Sequence, residues 1–142
     1  GAMTPEKLTP QPQIDEVFGL PNVQAMLSKL ESASDDWSQK TANTLRHRSP
    51  LMLHVVLEQI RRARQMSLAD DLRMERDMVH HCFHLRSVAD SDTVEGIRAL
   101  AVDKDHTPNW KPARVEEVDL SEAARFFVSP WPSDHHPLRD LT

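Results

Sequence analysis

A chain of 142 residues with 39% hydrophobic content builds one core of ordinary size and leaves no room for a second full domain. Its formal charge of −5, with acids and bases interspersed, excludes the one-signed patch that grips nucleic acid or an anionic membrane, and no apolar run approaches the roughly 20 residues that span a bilayer. Three glycines, no tyrosine and a wealth of Leu, Ala, Met, Arg and Glu argue for a mostly α fold, and the single cysteine, Cys82, forms no internal disulfide.

Gly1-Ala2-Met3 reads as the remnant of a cleaved tag, and the prolines of residues 4–13 predict an extended leader. Ile14, Val17 and Phe18 then repeat at i, i+3, i+4, a short helical turn that Gly19 can end. Asn22 is placed to cap a helix whose Val23, Met26, Leu27 and Leu30 share a face, and Asp35 or Asp36 to cap the next, running through Trp37 to Leu45. Ser49-Pro50 is the clearest start signal, because serine accepts from free backbone N–H groups and proline at the first helical position loses no hydrogen bond. The spacing predicts Leu53, Val56, Leu57 and Ile60 facing inward on this long helix, with Arg61, Arg62 and Arg64 in water. Ser67 through Asp70 resembles a capping box and opens a helix carrying Leu68, Leu72, Val79 and Phe83 inward, so the two long helices form an αα-hairpin. A shorter helix over about 93–102 buries Val94, Ile97, Leu100 and Ala101, with Gly96 admitting a close backbone neighbour, and a last helix spans about 121–128. The expected layout is a leader over 1–13, one domain of about five to six helices over 14–128, and an irregular or mobile tail over 129–142 with three prolines.

Few side chains suggest chemistry. His80 and His84 stand one helical turn apart, but a zinc site needs three or four ligands and Cys82 points elsewhere, so a surface histidine pair is the reading and no metal is expected. His135-His136 is a weaker signal still. Cys82 lies in the apolar register of Val79 and Phe83 and reads as packing; Ser49 lacks a Gly-x-Ser-x-Gly setting and reads as a cap. In Asp103-Lys104-Asp105, followed by Pro108 and Pro112 around Trp110, spacing alone pairs Lys104 with a neighbouring acid and sets Trp110 at the edge of the core.

Glu95-Gly96-Ile97-Arg98-Ala99-Leu100, Asp103-Lys104-Asp105 and Pro108-Asn109-Trp110-Lys111-Pro112, with Ser49-Pro50 and Ser67-Leu68-Ala69, resemble the C-terminal part of 3-hydroxyisobutyryl-CoA hydrolases, a branch of the crotonase (enoyl-CoA hydratase/isomerase) superfamily. The resemblance runs from about residue 14 to 127. It implies a helical module that belongs beside an N-terminal crotonase core, where oxyanion-hole N–H groups and acids act on the thioester of an acyl-CoA substrate. The glycine-rich segments of that core are not in this sequence, so the resemblance assigns no catalytic residue and no cofactor to it, and the chain alone is expected to be inactive. Related hydratases end the equivalent helix with an aromatic residue and Glu-Lys-Arg, the lysine approaching the adenosine-phosphate part of coenzyme A. Lys104 stands for that lysine here, with Leu100 in the aromatic's place and one more residue between them.

The implied setting is valine breakdown in the mitochondrial matrix, with acyl-CoA, the crotonase core and a second copy of the chain as partners, and no membrane. Some members of the branch are structural subunits of the mitochondrial ribosome, the alternative that would bring nucleic acid nearby; a free-standing helical adaptor is a third reading.

Overall fold

The computed structural model describes residues 11–142, with side chains from Ile14 onward, and holds seven α-helices and no strand among them. The tag remnant and most of the expected leader lie outside the described residues. Contacts divide the chain into two compact units, ending and beginning at Arg48 and Ser49, where one domain over 14–128 was expected.

In the first unit, α1 (Gln11–Phe18) starts earlier than the pattern suggests. Proline costs little in the first helical turn, where its missing N–H has no acceptor in any case, so Pro12 does not stop it. Gly19 ends α1 by donating to the Asp15 carbonyl at 2.9 Å, and a Cβ there would lie 2.7 Å from that same oxygen. Only glycine fits without a shift. Asn22 caps α2 (Val23–Ser32) through the Ala25 amide at 2.8 Å, and Asp35 caps α3 (Asp36–Arg46) through Ser38. Val17, Val23, Met26, Leu27, Leu30 and Ala42 are buried in this unit.

In the second unit, Ser49 and Pro50 open α4 (Pro50–Ala63), and Ser67 opens α5 (Leu68–His84), as the capping signals require. The inward faces match the expected ones only in part, at Leu57. On α4 the buried side chains are Leu51, His54, Val55 and Leu57, and on α5 they are Ala69, Met74, Asp77, Met78 and His81. Val56, Ile60, Leu68, Val79 and Phe83 are exposed. Leu51, Val55, Met74 and Met78 form one cluster with Ala123 and Phe126 from the C-terminal segment, and half-buried Cys82 packs against it. The apolar-stripe rule fails here because the true core faces carry histidine and aspartate. His81 Nε2 donates to the Val128 carbonyl at 2.6 Å, and Asp77 accepts from Ser129 and His136, so these polar groups are satisfied by chain that lies far away in sequence.

The remaining helices are short. α6 (Asp92–Ile97) runs into a π-helical turn over Arg98–Val102, and this changes the register that the expected face assumed. Ala99 and Asp92 are buried, whereas Ile97, Leu100 and Ala101 are exposed. After a 3-10 turn at Val115–Glu117 comes α7 (Leu120–Ala124), capped by Asp119 and continued by a 3-10 turn through Phe127. The tail is irregular but tied down. His136 is 5% exposed; its Nδ1 accepts from the Leu138 N–H, so its Nε2–H is what donates to Asp77. Arg73 donates to the Leu138 and Leu141 carbonyls, and Trp131 lies between the rings of His80 and His136.

His54 illustrates the cost of a polar core face. Its Nε2 is buried without a hydrogen-bond partner, and burial pushes its pKa below the ordinary 6.5 despite a hydrogen bond with the Val115 backbone. The unfolded chain therefore takes up this proton more readily than the folded one. Stability is whole above pH 6.5 and falls as pH drops below it. Urea unfolding of the chain between pH 7.5 and 5.5 is expected to show this loss, and His54→Gln, which cannot gain a proton, to reduce it. His80, lowered first by burial and then by His84, contributes in the same direction in both proteins.

Candidate functional site

The segment from α6 to Pro112 is built around two buried or half-buried charges. Asp92, 6% exposed at the start of α6, accepts the Ser49 hydroxyl at 2.6 Å and the Lys111 backbone N–H at 2.8 Å. One carboxylate thus joins the first turn of α4, the first turn of α6 and the returning strap. Lys111 secures the strap again, its Nζ donating to the Ala89 carbonyl and to Asp90, both at 3.1 Å. That ammonium holds the Asp90 carboxyl below its usual range. Trp110 covers Gly96: a Cβ on Gly96 would stand 3.4 Å from the ring, so the close neighbour is a side chain and not the expected backbone. A cleft of about 300 Å³ lies here, lined by Val88, Asp90, Glu95, Arg98, Asn109 and Lys111.

The second charge is Arg98, on the π-helical turn. Its Nε donates to Glu95, one Nη donates to Asp103 at 2.8 Å and Asp105 at 2.7 Å, and the other reaches the Thr107 carbonyl at 3.3 Å. These contacts lower the Asp105 pKa and raise that of Arg98. Around the two acids the backbone turns sharply. Lys104 and His106 adopt left-handed φ values of 57° and 54°, and the Thr107 N–H closes on Asp105 at 2.9 Å.

Lys104 does not pair with Asp103 or Asp105, as spacing suggested, because a single planar guanidinium takes both. It is exposed and has no hydrogen bond or ion pair with any of the described residues. Arg98 was not singled out in the sequence; its charge at i+5 and i+7 from two acids is a weak signal, since those offsets meet only after a π turn and a chain reversal.

Among the described residues no three His, Cys, Asp or Glu side chains converge as metal ligands. His80 and His84 lie with ring centroids 4.6 Å apart, and burial pushes the Cys82 thiol pKa up, away from a reactive thiolate. Arg62 pairs with Glu58 and lies over the Phe127 ring.

A profile of the enoyl-CoA hydratase/isomerase family matches residues 2–127. The chain belongs to this family. Within it, the chain is 35% identical over 118 residues to a probable 3-hydroxyisobutyryl-CoA hydrolase 3 of Arabidopsis thaliana, covering 80% of the chain and 31% of that protein. It is 34% identical over 116 residues to the mitochondrial 3-hydroxyisobutyryl-CoA hydrolase of Dictyostelium discoideum, covering 80% and 29%. The small ribosomal subunit protein mS47 of Arabidopsis thaliana is 36% identical over 119 residues, covering 81% and 29%. A solved structure of a carnitinyl-CoA dehydratase from Mycobacterium thermoresistibile shares the fold with a TM-score of 0.76 at 32% identity, covering 93% of this chain and 36% of that one. The chain thus spans about a third of the length of the enoyl-CoA hydratase/isomerase proteins that it matches.

Asp92→Ala strands the Ser49 hydroxyl and the Lys111 amide together. It is expected to cost about 3 kcal/mol of stability in urea unfolding followed by circular dichroism. Asp92→Asn keeps an acceptor and is expected to cost less; equal costs would show that the charge, and not the hydrogen-bond geometry, holds the strap.

Proposed function

We propose that this chain is the helical C-terminal module of a 3-hydroxyisobutyryl-CoA hydrolase-type thioesterase, and that Lys104 contacts the phosphates of coenzyme A when the module is joined to its crotonase core. The observation that carries this reading is the unpaired ammonium of Lys104, displayed between two acids that Arg98 has already engaged. An ammonium on a flexible stem suits phosphate as a movable point charge. Interaction energy gained at the nucleotide end holds the acyl-CoA in register with water and the oxyanion-hole donors, which the core supplies. Hydrolysis then yields free coenzyme A and a hydroxy acid, a step in valine breakdown. The setting is mitochondrial, in keeping with the name of the Dictyostelium relative.

Alone, the chain hydrolyses nothing in this reading: Ser49 and Asp92 are buried together and taken up by the α4 cap and the strap, and Cys82 is packed. The exposed Val56, Ile60, Val79 and Phe83, between 42% and 54% accessible, are the surface that the core or a second copy covers. The purified chain is expected to form dimers or larger species by light scattering at high concentration, and a clean monomer there removes self-association.

A second reading rests on the 36% identity to ribosomal protein mS47, in which the same module is a scaffold with no substrate. Turnover of 3-hydroxyisobutyryl-CoA by the intact parent separates the two. For Lys104, Lys104→Ala in that parent is expected to weaken coenzyme A binding about fivefold in calorimetry, with the effect shrinking in high salt. Unchanged affinity removes the contact.

A further inference from the structure

The acids on either side of Lys104 endanger the role just given to it. An ammonium with a carboxylate on each adjacent residue tends to fold back onto one of them, and a paired lysine meets phosphate with its charge already spent. In the structure this does not happen. Asp103 and Asp105 both accept from one Nη of Arg98, at 2.8 and 2.7 Å, while the same guanidinium holds Glu95 and the Thr107 carbonyl. Lysine could not replace it, because the grip uses a planar fork whose donors leave in different directions at fixed angles.

Building on the assignment of Lys104 to coenzyme A, we infer that Arg98 is a positioning residue for that lysine: it sequesters the two flanking carboxylates and so keeps the Lys104 ammonium unpaired for phosphate. Three features on this segment converge on that role. The π-helical turn at Arg98–Val102 is followed by the reversal at Asp103–Thr107, which brings residues five and seven positions later onto the guanidinium. The left-handed backbone at Lys104 and His106 needs a strong local hold to persist, and the hydrogen bonds of Asp103, Asp105 and Thr107 with Arg98 and one another provide it. The arrangement is also lopsided in charge, with three carboxylates against one guanidinium, so the acids would dominate Lys104 if Arg98 were lost.

The test is a set of variants in the intact parent protein, each checked for native helix content. Arg98→Ala is expected to weaken coenzyme A binding about fivefold, matching Lys104→Ala, and to raise KM while leaving kcat nearly unchanged. The double variant is expected to bind no more weakly than either single one. The deciding protein is Arg98→Ala combined with Asp103→Asn and Asp105→Asn: neutral amides cannot capture the ammonium, so binding returns to within about twofold of the parent. Normal binding by Arg98→Ala, additive losses in the double variant, or no recovery in the triple variant would each overturn the inference, the last showing a purely structural arginine.

If Lys104→Ala itself binds coenzyme A normally, the assignment of Lys104 fails and the sequestering role is judged on the 142-residue chain alone. There, trace acetylation of Lys104 read by mass spectrometry is expected to slow in Arg98→Ala and recover in the triple variant. An unchanged rate overturns it.

Discussion

The second unit depends on a carboxylate that meets almost no water. Asp92 receives a hydroxyl from the cap of α4 and an amide from the strap, so where α4 begins, where α6 begins and where the chain returns are fixed by one group. The Ser49 hydroxyl that donates to Asp92 also accepts from the Met52 amide. Capping and long-range fastening are therefore one hydrogen-bonded chain, and breaking either end disturbs the other. With the strap held at Lys111, Trp110 is laid on the bare face of Gly96, and the loop over residues 103–107 closes on Arg98.

The helix starts were legible in the sequence because their physics is local. Asn22, Asp35, Ser49 and Ser67 each answer the unsatisfied N–H groups of a first turn within three residues, and each cap was anticipated from the residue type and its position. The mostly α class followed from composition for a similar reason.

The inward face of α2, Val23, Met26, Leu27 and Leu30, was legible too, but the inward faces of α4 and α5 were not, because their physics is distant. Reading apolar residues as core makes Val56, Ile60, Val79 and Phe83 the natural stripe, yet the buried arcs carry His54, Asp77 and His81. Those groups enter the interior only because Val115, Val128, Ser129 and His136, between 47 and 61 residues away, supply their partners. No local window contains that information. The same is true of Lys104: adjacent acids are the obvious partners on paper, and the competitor that wins is an arginine whose reach is created by a π turn.

The strap's docking has a practical corollary. The three tryptophans are dispersed, Trp37 in the first unit, Trp110 on the strap and Trp131 in the tail, and all three are half-buried. With tyrosine missing from the chain, intrinsic emission comes from these indoles alone. Each therefore reports a separate region, and single-tryptophan proteins would let the first unit, the strap and the tail be followed as independent optical signals during melting or assembly.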